Sequence, residues 1–121
     1  AELMAEGALA KHTRRMRNHY RVAREAVAEA LAKAAGDALR LVVPQQGLHL
    51  VAYLPPGLPR GAADRIRRAA RIEAWLLSET RVSQRGLDGF VLGFSGHDIP
   101  ALVAASVRLG RAARNHLRTS P

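Results

Sequence analysis

The chain has 121 residues, carries 19 Lys and Arg against 10 Asp and Glu for a formal charge of +9, and contains no cysteine. Its length suits one domain with a real core, since a chain of this size buries about two-thirds of its unfolded surface; 48% hydrophobic and 24% charged residues are the proportions of a folded protein. The missing cysteine excludes a disulfide scaffold, a thiolate zinc site, an iron–sulfur cluster and a thiol nucleophile, and no apolar run approaches the roughly 18 residues of a membrane span.

The first element predicted is one long helix from Glu2 to about Ala35. Leu9, Met16, Tyr20, Ala23, Val27, Leu31 and Ala34 recur at three- and four-residue steps, which places them on one stripe of a 3.6-residue helix. Arg14, Arg15, Arg17, Arg21 and Arg24 fill the other faces, and Arg21 with Glu25 makes an opposite-charge pair one turn apart. Gly7 weakens the start of this helix, whereas Gly36 suits its stop, because glycine accepts the left-handed conformation that closes a helix. Acidic Glu2 and Glu6 stand where a secretory signal carries a basic flank, so the reading is a soluble, cytoplasmic protein with no membrane partner.

Two strands follow. Leu39–Val43 ends at Pro44, and 48–54 alternates, with Leu48, Leu50, Ala52 and Leu54 on one face and His49, Val51 and Tyr53 on the other. Pro44 and Gly47 in the short connector predict a hairpin, and the prolines at 55, 56 and 59 end the second strand. A second helix is expected from Ala62 to about Ile72, with Ile66, Ala69 and Ala70 inward and Arg65, Arg67, Arg68 and Arg71 in or near water. The apolar run Ala74–Leu77 reads as a third strand, 78–85 as a loop, and Gly89–Ser95 as a fourth strand whose glycines mark a close backbone approach. The last helix starts at Asp98, an N-cap residue with Pro100 just inside, and buries Ile99, Leu102, Val103, Ser106, Leu109, Ala113 and Leu117. The order α-β-β-α-β-β-α predicts an α+β, two-layer sandwich. It is a small, mostly antiparallel four-stranded sheet with helices on one face (37–121), preceded by the long linking helix (1–36).

Few residues offer chemistry. Ser95, His97 and Asp98 lie within four positions, too close in sequence for a Ser–His–Asp relay, which needs partners brought together by the fold. His12, His19, His49, His97 and His116 include no pair at the spacing that puts two rings on one helical turn, so no metal site is expected. Phe90 and Phe94 share a strand face but lack the aromatic partners of an RNA-binding sheet. The basic charge would attract phosphates in a salt-dependent way, yet only Lys11 and Lys33 are lysines, and Arg alongside abundant Ala reads as a compositional habit; a basic nucleic-acid-binding domain stands as the second alternative. His49 is the candidate binding residue, placed mid-strand where an imidazole could orient a ligand carboxylate or phosphate.

Three stretches in register resemble one family. Glu6-Gly7-Ala8-Leu9-Ala10-Lys11-His12-Thr13-Arg14-Arg15-Met16-Arg17-Asn18-His19-Tyr20-Arg21 resembles the long helix linking the large and small domains of aminotransferase-like chains. Gly47-Leu48-His49-Leu50-Val51 is similar to the strand that follows it, and Gly89-Phe90-Val91-Leu92-Gly93-Phe94-Ser95 to the strand before the final helix. Together they resemble the MocR-type branch of the GntR transcription regulators. In that family a winged helix-turn-helix is joined to a domain like the fold type I, pyridoxal-phosphate-dependent aminotransferases.

The resemblance implies the C-terminal small domain alone, an effector-binding and dimerisation part that is inactive by itself. The lysine that binds pyridoxal phosphate and most phosphate ligands would lie in a large domain, since Lys11 and Lys33 sit on the linking helix. The implied partners are that large domain, a second copy in the parent protein, DNA through a separate N-terminal domain, and an amino-acid-like effector. Enzymes of this fold present an arginine to the substrate carboxylate where this chain has Val91, so the resemblance implies sensing rather than turnover, with Arg81 or Arg85 offering replacement charge. The alternative is the small domain of a genuine aminotransferase.

Overall fold

The computed structural model describes residues 2–43, 49–59, 61–72, 74–76, 88–93 and 98–119. Its first helix, α1 (Glu2–Ala35), runs 34 residues and passes through Gly7 without a break. It ends where the sequence places its stop: Gly36 has a φ of 57° and opens a short 3-10 turn, Gly36–Ala38.

The apolar stripe of α1 is buried over only half its length. Ala23, Val27, Leu31 and Ala35 are at most 2% exposed, with Tyr20 and Ala28 packed against them. Residues 7–19 are all exposed, Leu9 by 66% and Met16 by 38%, so these two do not belong to the core of this chain. The reason is length. α1 packs against α3 (Ile99–Thr119), which has 21 residues, and at 1.5 Å per residue the unmatched part of α1 is about 20 Å long. Periodicity identifies an amphipathic helix; it does not say whether the surface that covers it is in the same chain. On the polar side Arg21 binds Asn18 Oδ1 at 2.7 Å rather than pairing with Glu25, and the ion pair one turn apart is Glu29–Lys33 at 3.0 Å.

The strands are β1 (Arg40–Val42), β2 (His49–Tyr53), β3 (Trp75–Leu76) and β4 (Gly89–Gly93). Neighbours are antiparallel in the order β1-β2-β4-β3, a three-stranded centre with the two-residue β3 along its edge. The turn expected at Pro44–Gly47, the loop 78–85 and the ends of the strands at Leu77, Phe94 and Ser95 lie outside the described residues. Register separates the faces: Leu50 opposes Leu92 and Ala52 opposes both Leu41 and Phe90, while Val51 opposes Val42 and Val91. Leu50, Ala52 and Phe90 are fully buried and, with Leu54, join the buried residues of all three helices in one core. The period-2 reading of 48–54 thus holds for every described position. Gly89 is where the sheet demands glycine, because a Cβ there would stand 2.1 Å from the Ala52 carbonyl oxygen.

α2 (Ala62–Ala70) stops two residues before the expected end. Ala62, Ala63, Ile66 and Ala70 form its buried side, whereas Ala69, expected inward, is exposed: with Ile66 and Ala70 fixing the inward direction, Ala69 falls on the solvent side. Arg67 is half-buried, bonded to Asp64 at 2.7 Å and to the Ala74 carbonyl at 3.0 Å, so it is less solvent-facing than its charge suggests. Arg71 closes the helix in the left-handed region, φ 55°, a conformation that costs an L side chain roughly 1–2 kcal/mol and that glycine adopts freely.

α3 starts as its sequence indicates. Asp98 Oδ1 accepts the Ala101 N–H at 3.1 Å, an N-cap bond. Leu102, Ser106, Leu109 and Ala113 are buried, and the Ser106 hydroxyl donates to the Leu102 carbonyl at 2.7 Å. Gly110 is buried in the contact between α3 and α1; a Cβ there would stand 2.6 Å from Ala34 Cβ. The result is an α+β fold with a long N-terminal helix and a small antiparallel sheet. The described residues include no helix long and apolar enough to cross a membrane.

Candidate functional site

His49 is the first described residue of β2, and it is exposed opposite Gly93. Alternation puts it on the face of the sheet turned away from the core, with Val51, Val42 and Val91 next along and Tyr53 at the far end. There the Arg40 guanidinium lies 4.8 Å from the centre of the Tyr53 ring, a cation–π contact that fixes a positive charge on the face. His49 and Tyr53 are four residue steps apart along the strand, about 13 Å, so imidazole and guanidinium do not converge on one small carboxylate. They bracket an aliphatic strip, with Val42 44% exposed. This is a surface suited to being covered.

Arg81 and Arg85 lie outside the described residues, so of the three candidate residues the structure places His49 alone. Val91 stands on the same outer face, paired with Val51 and with Trp75 in register. Among the described residues no three His, Cys, Asp or Glu side chains could hold a metal, and no buried side-chain polar atom lacks a hydrogen-bond partner. Lys11 is in the exposed half of α1, and Lys33 lines an open groove between α1 and α3, paired with Glu29 and with 76% of its side chain in solvent.

Sequence reasoning missed two features. One is the Arg40–Tyr53 contact, which needs the strand register to be seen. The other is an open groove of about 860 Å³ between α1 and α3, floored by Ala30, Ala34 and Val107 and rimmed by Arg111, Arg114 and Arg118. The signal for the groove is present in the sequence, since arginines at i, i+3 and i+7 share one helical face.

No family model matches the chain, and no curated protein matches it. Among solved structures it is similar to LysN, an α-aminoadipate aminotransferase from Thermus thermophilus crystallised with N-(5′-phosphopyridoxyl)-L-leucine, with a TM-score of 0.79 and 24% sequence identity. The likeness covers 98% of this chain and 30% of that enzyme, so the chain spans under a third of the enzyme's length and shares the fold of that portion.

Proposed function

We propose that this chain is the small domain of a pyridoxal-phosphate-dependent, aminotransferase-like protein, and that the whole protein is a GntR/MocR-type transcription regulator in which the domain serves effector binding and dimerisation. The observation that carries the first part is the likeness of nearly the whole chain to under a third of an aminotransferase. The described residues do not make a seat for pyridoxal phosphate: both lysines are exposed and no unpartnered buried polar group awaits a ligand. The cofactor, whose aldehyde captures amino groups, belongs to a large domain in this reading.

This chain's own contribution is a cover. Its outer sheet face closes over that domain, His49 orients the carboxylate or phosphate of the bound effector, and Arg81 or Arg85 adds charge. Closure on binding requires the effector to favour the closed state over the open one. Val91 supports regulation over turnover, since an aliphatic side chain at the position that resembles the enzymes' carboxylate-binding arginine removes the main anchor for an amino-acid substrate. The likeness to LysN favours a second reading, the small domain of an enzyme that transfers amino groups.

The two readings separate in the protein made from the complete reading frame. Regulation requires specific, salt-sensitive binding to its own upstream DNA, released or strengthened by an amino acid, with amino-group transfer to a 2-oxo acid at background rate. Multiple turnovers without specific DNA binding would make it an enzyme, and absence of both activities and of pyridoxal phosphate would overturn the whole reading.

A further inference from the structure

On the helix side of the sheet, opposite the face that carries His49 and Val91, the described residues line a partly open cavity of about 230 Å³, with Arg71 and Arg108 exposed at its edge. Its walls come from four elements and are apolar, with Val27 of α1, Ile72 after α2, Leu92 of β4 and Leu102 of α3 among them. Two guanidinium groups, Arg71 and Arg108, also line it, and no carboxylate does among the described residues. The remaining polar side chain, Ser106, already donates its proton to the Leu102 carbonyl. An apolar void edged by positive charge is the complement of a small molecule with an apolar body and an anionic head.

The two arginines differ in how they are held. Arg108 Nε donates to the Ala70 carbonyl at 3.0 Å, which fixes the plane of its guanidinium beside the last turn of α2 and leaves its terminal amino groups for a ligand. Arg71 makes no ion pair with the described residues and holds a left-handed φ of 55°, where glycine would be more stable. Its charge, exposed at the C-terminal cap of α2 where a cation suits the helix dipole, is available to an anion in the cavity.

We propose that this cavity is a binding site for a small amphipathic monocarboxylate, its tail among Val27, Leu92 and Leu102 and its carboxylate between Arg71 and Arg108. The volume equals roughly eight waters at about 30 Å³ each, which sets the size near that of hexanoate. The inference stands apart from the proposed function, because the site lies on the other side of the sheet and needs no cofactor.

Titrating the isotopically labelled 121-residue chain with hexanoate, hexan-1-ol and acetate tests it by amide chemical shifts. Hexanoate is expected to saturate with shifts centred on Leu92, Gly93, Ala101 and Ala105, at least ten-fold tighter than hexan-1-ol, while acetate gives no saturable shift. Arg71→Gly should weaken hexanoate at least ten-fold, leave hexan-1-ol unchanged and raise the thermal midpoint by a few degrees; Arg71→Asn, which also tolerates the left-handed backbone, should lose the same affinity. Equal binding of hexanoate and hexan-1-ol, shifts centred elsewhere, or wild-type hexanoate affinity in both variants would overturn the proposal.

Discussion

Gly89→Ala is expected to destabilise the chain by about 3 kcal/mol or more, at the upper end of what overpacking costs. The new methyl group would lie 2.1 Å from the Ala52 oxygen, 2.9 Å from Tyr53 Cα and 3.0 Å from the Ala52 carbonyl carbon. All three are backbone atoms, so no side chain can rotate away and strand β4 itself must move. The movement is opposed by the Leu54 N–H, which is bonded to the Asp88 carbonyl at 2.8 Å and ties the start of β4 to the end of β2. For a domain of this size the loss corresponds to a fall in thermal midpoint of roughly 10–15 °C. Circular dichroism melts of the two proteins measure it; a fall of only a degree or two would mean that β4 does not approach β2 as closely as described. Gly110 makes an instructive contrast. Alanine there meets Ala34 Cβ at 2.6 Å, but alanine is also about 1 kcal/mol better than glycine inside a helix, so part of the clash is offset.

Phe90→Ala has a comparable effect by the opposite route, removing volume instead of adding it. Phe90 is fully buried, opposite Ala52 and Leu76, in the core shared by the sheet and all three helices. Deleting a buried phenyl group costs about 3–5 kcal/mol, from lost transfer energy and the cavity left behind. Since natural domains have roughly 5–15 kcal/mol in total, this variant should be close to unfolding at room temperature. Urea denaturation followed by fluorescence and circular dichroism checks the value, and Phe90→Leu, which refills most of the space, should recover at least half of the loss. A cost below about 1 kcal/mol would show that β4 does not pack its inner face on the helices. Both variants also bear on the proposed function, since the residue between the Phe90 and Leu92 anchors is Val91, the outer-face position on which the proposed regulatory reading rests.

Local chemistry is legible in the sequence where one residue decides the outcome. Gly36 stops α1, Asp98 caps α3, and alternation over 48–54 assigns the two faces of β2. What is not legible depends on partners distant in sequence. Ala69 and Ala70 are chemically identical, and only the direction of the core, set by Ile66 and the buried face of α3, decides which of them faces solvent. Leu9 and Met16 continue a proper helical stripe, but nothing within this chain's described residues reaches them. The site shows the same division: His49 stands out as a polar residue in an apolar strand, whereas Arg40 on Tyr53 and Arg108 on the end of α2 require the strand register and the packing of helices. The expectation attached to Val91 rests on resemblance to a family alone, because nothing about a valine in a strand points to a ligand.

The claim that the exposed half of α1 is a surface made to be covered by a cofactor-binding domain can be measured by amide hydrogen exchange over residues 7–19. A helix segment with no tertiary support opens readily, so in the 121-residue chain alone these amides should exchange nearly as fast as in a free peptide, while those of Ala23 to Ala35 stay protected. In the protein made from the complete reading frame the same amides should slow by at least a hundred-fold. Equal rates in the two proteins, or a reading frame that supplies no further domain, would contradict the account.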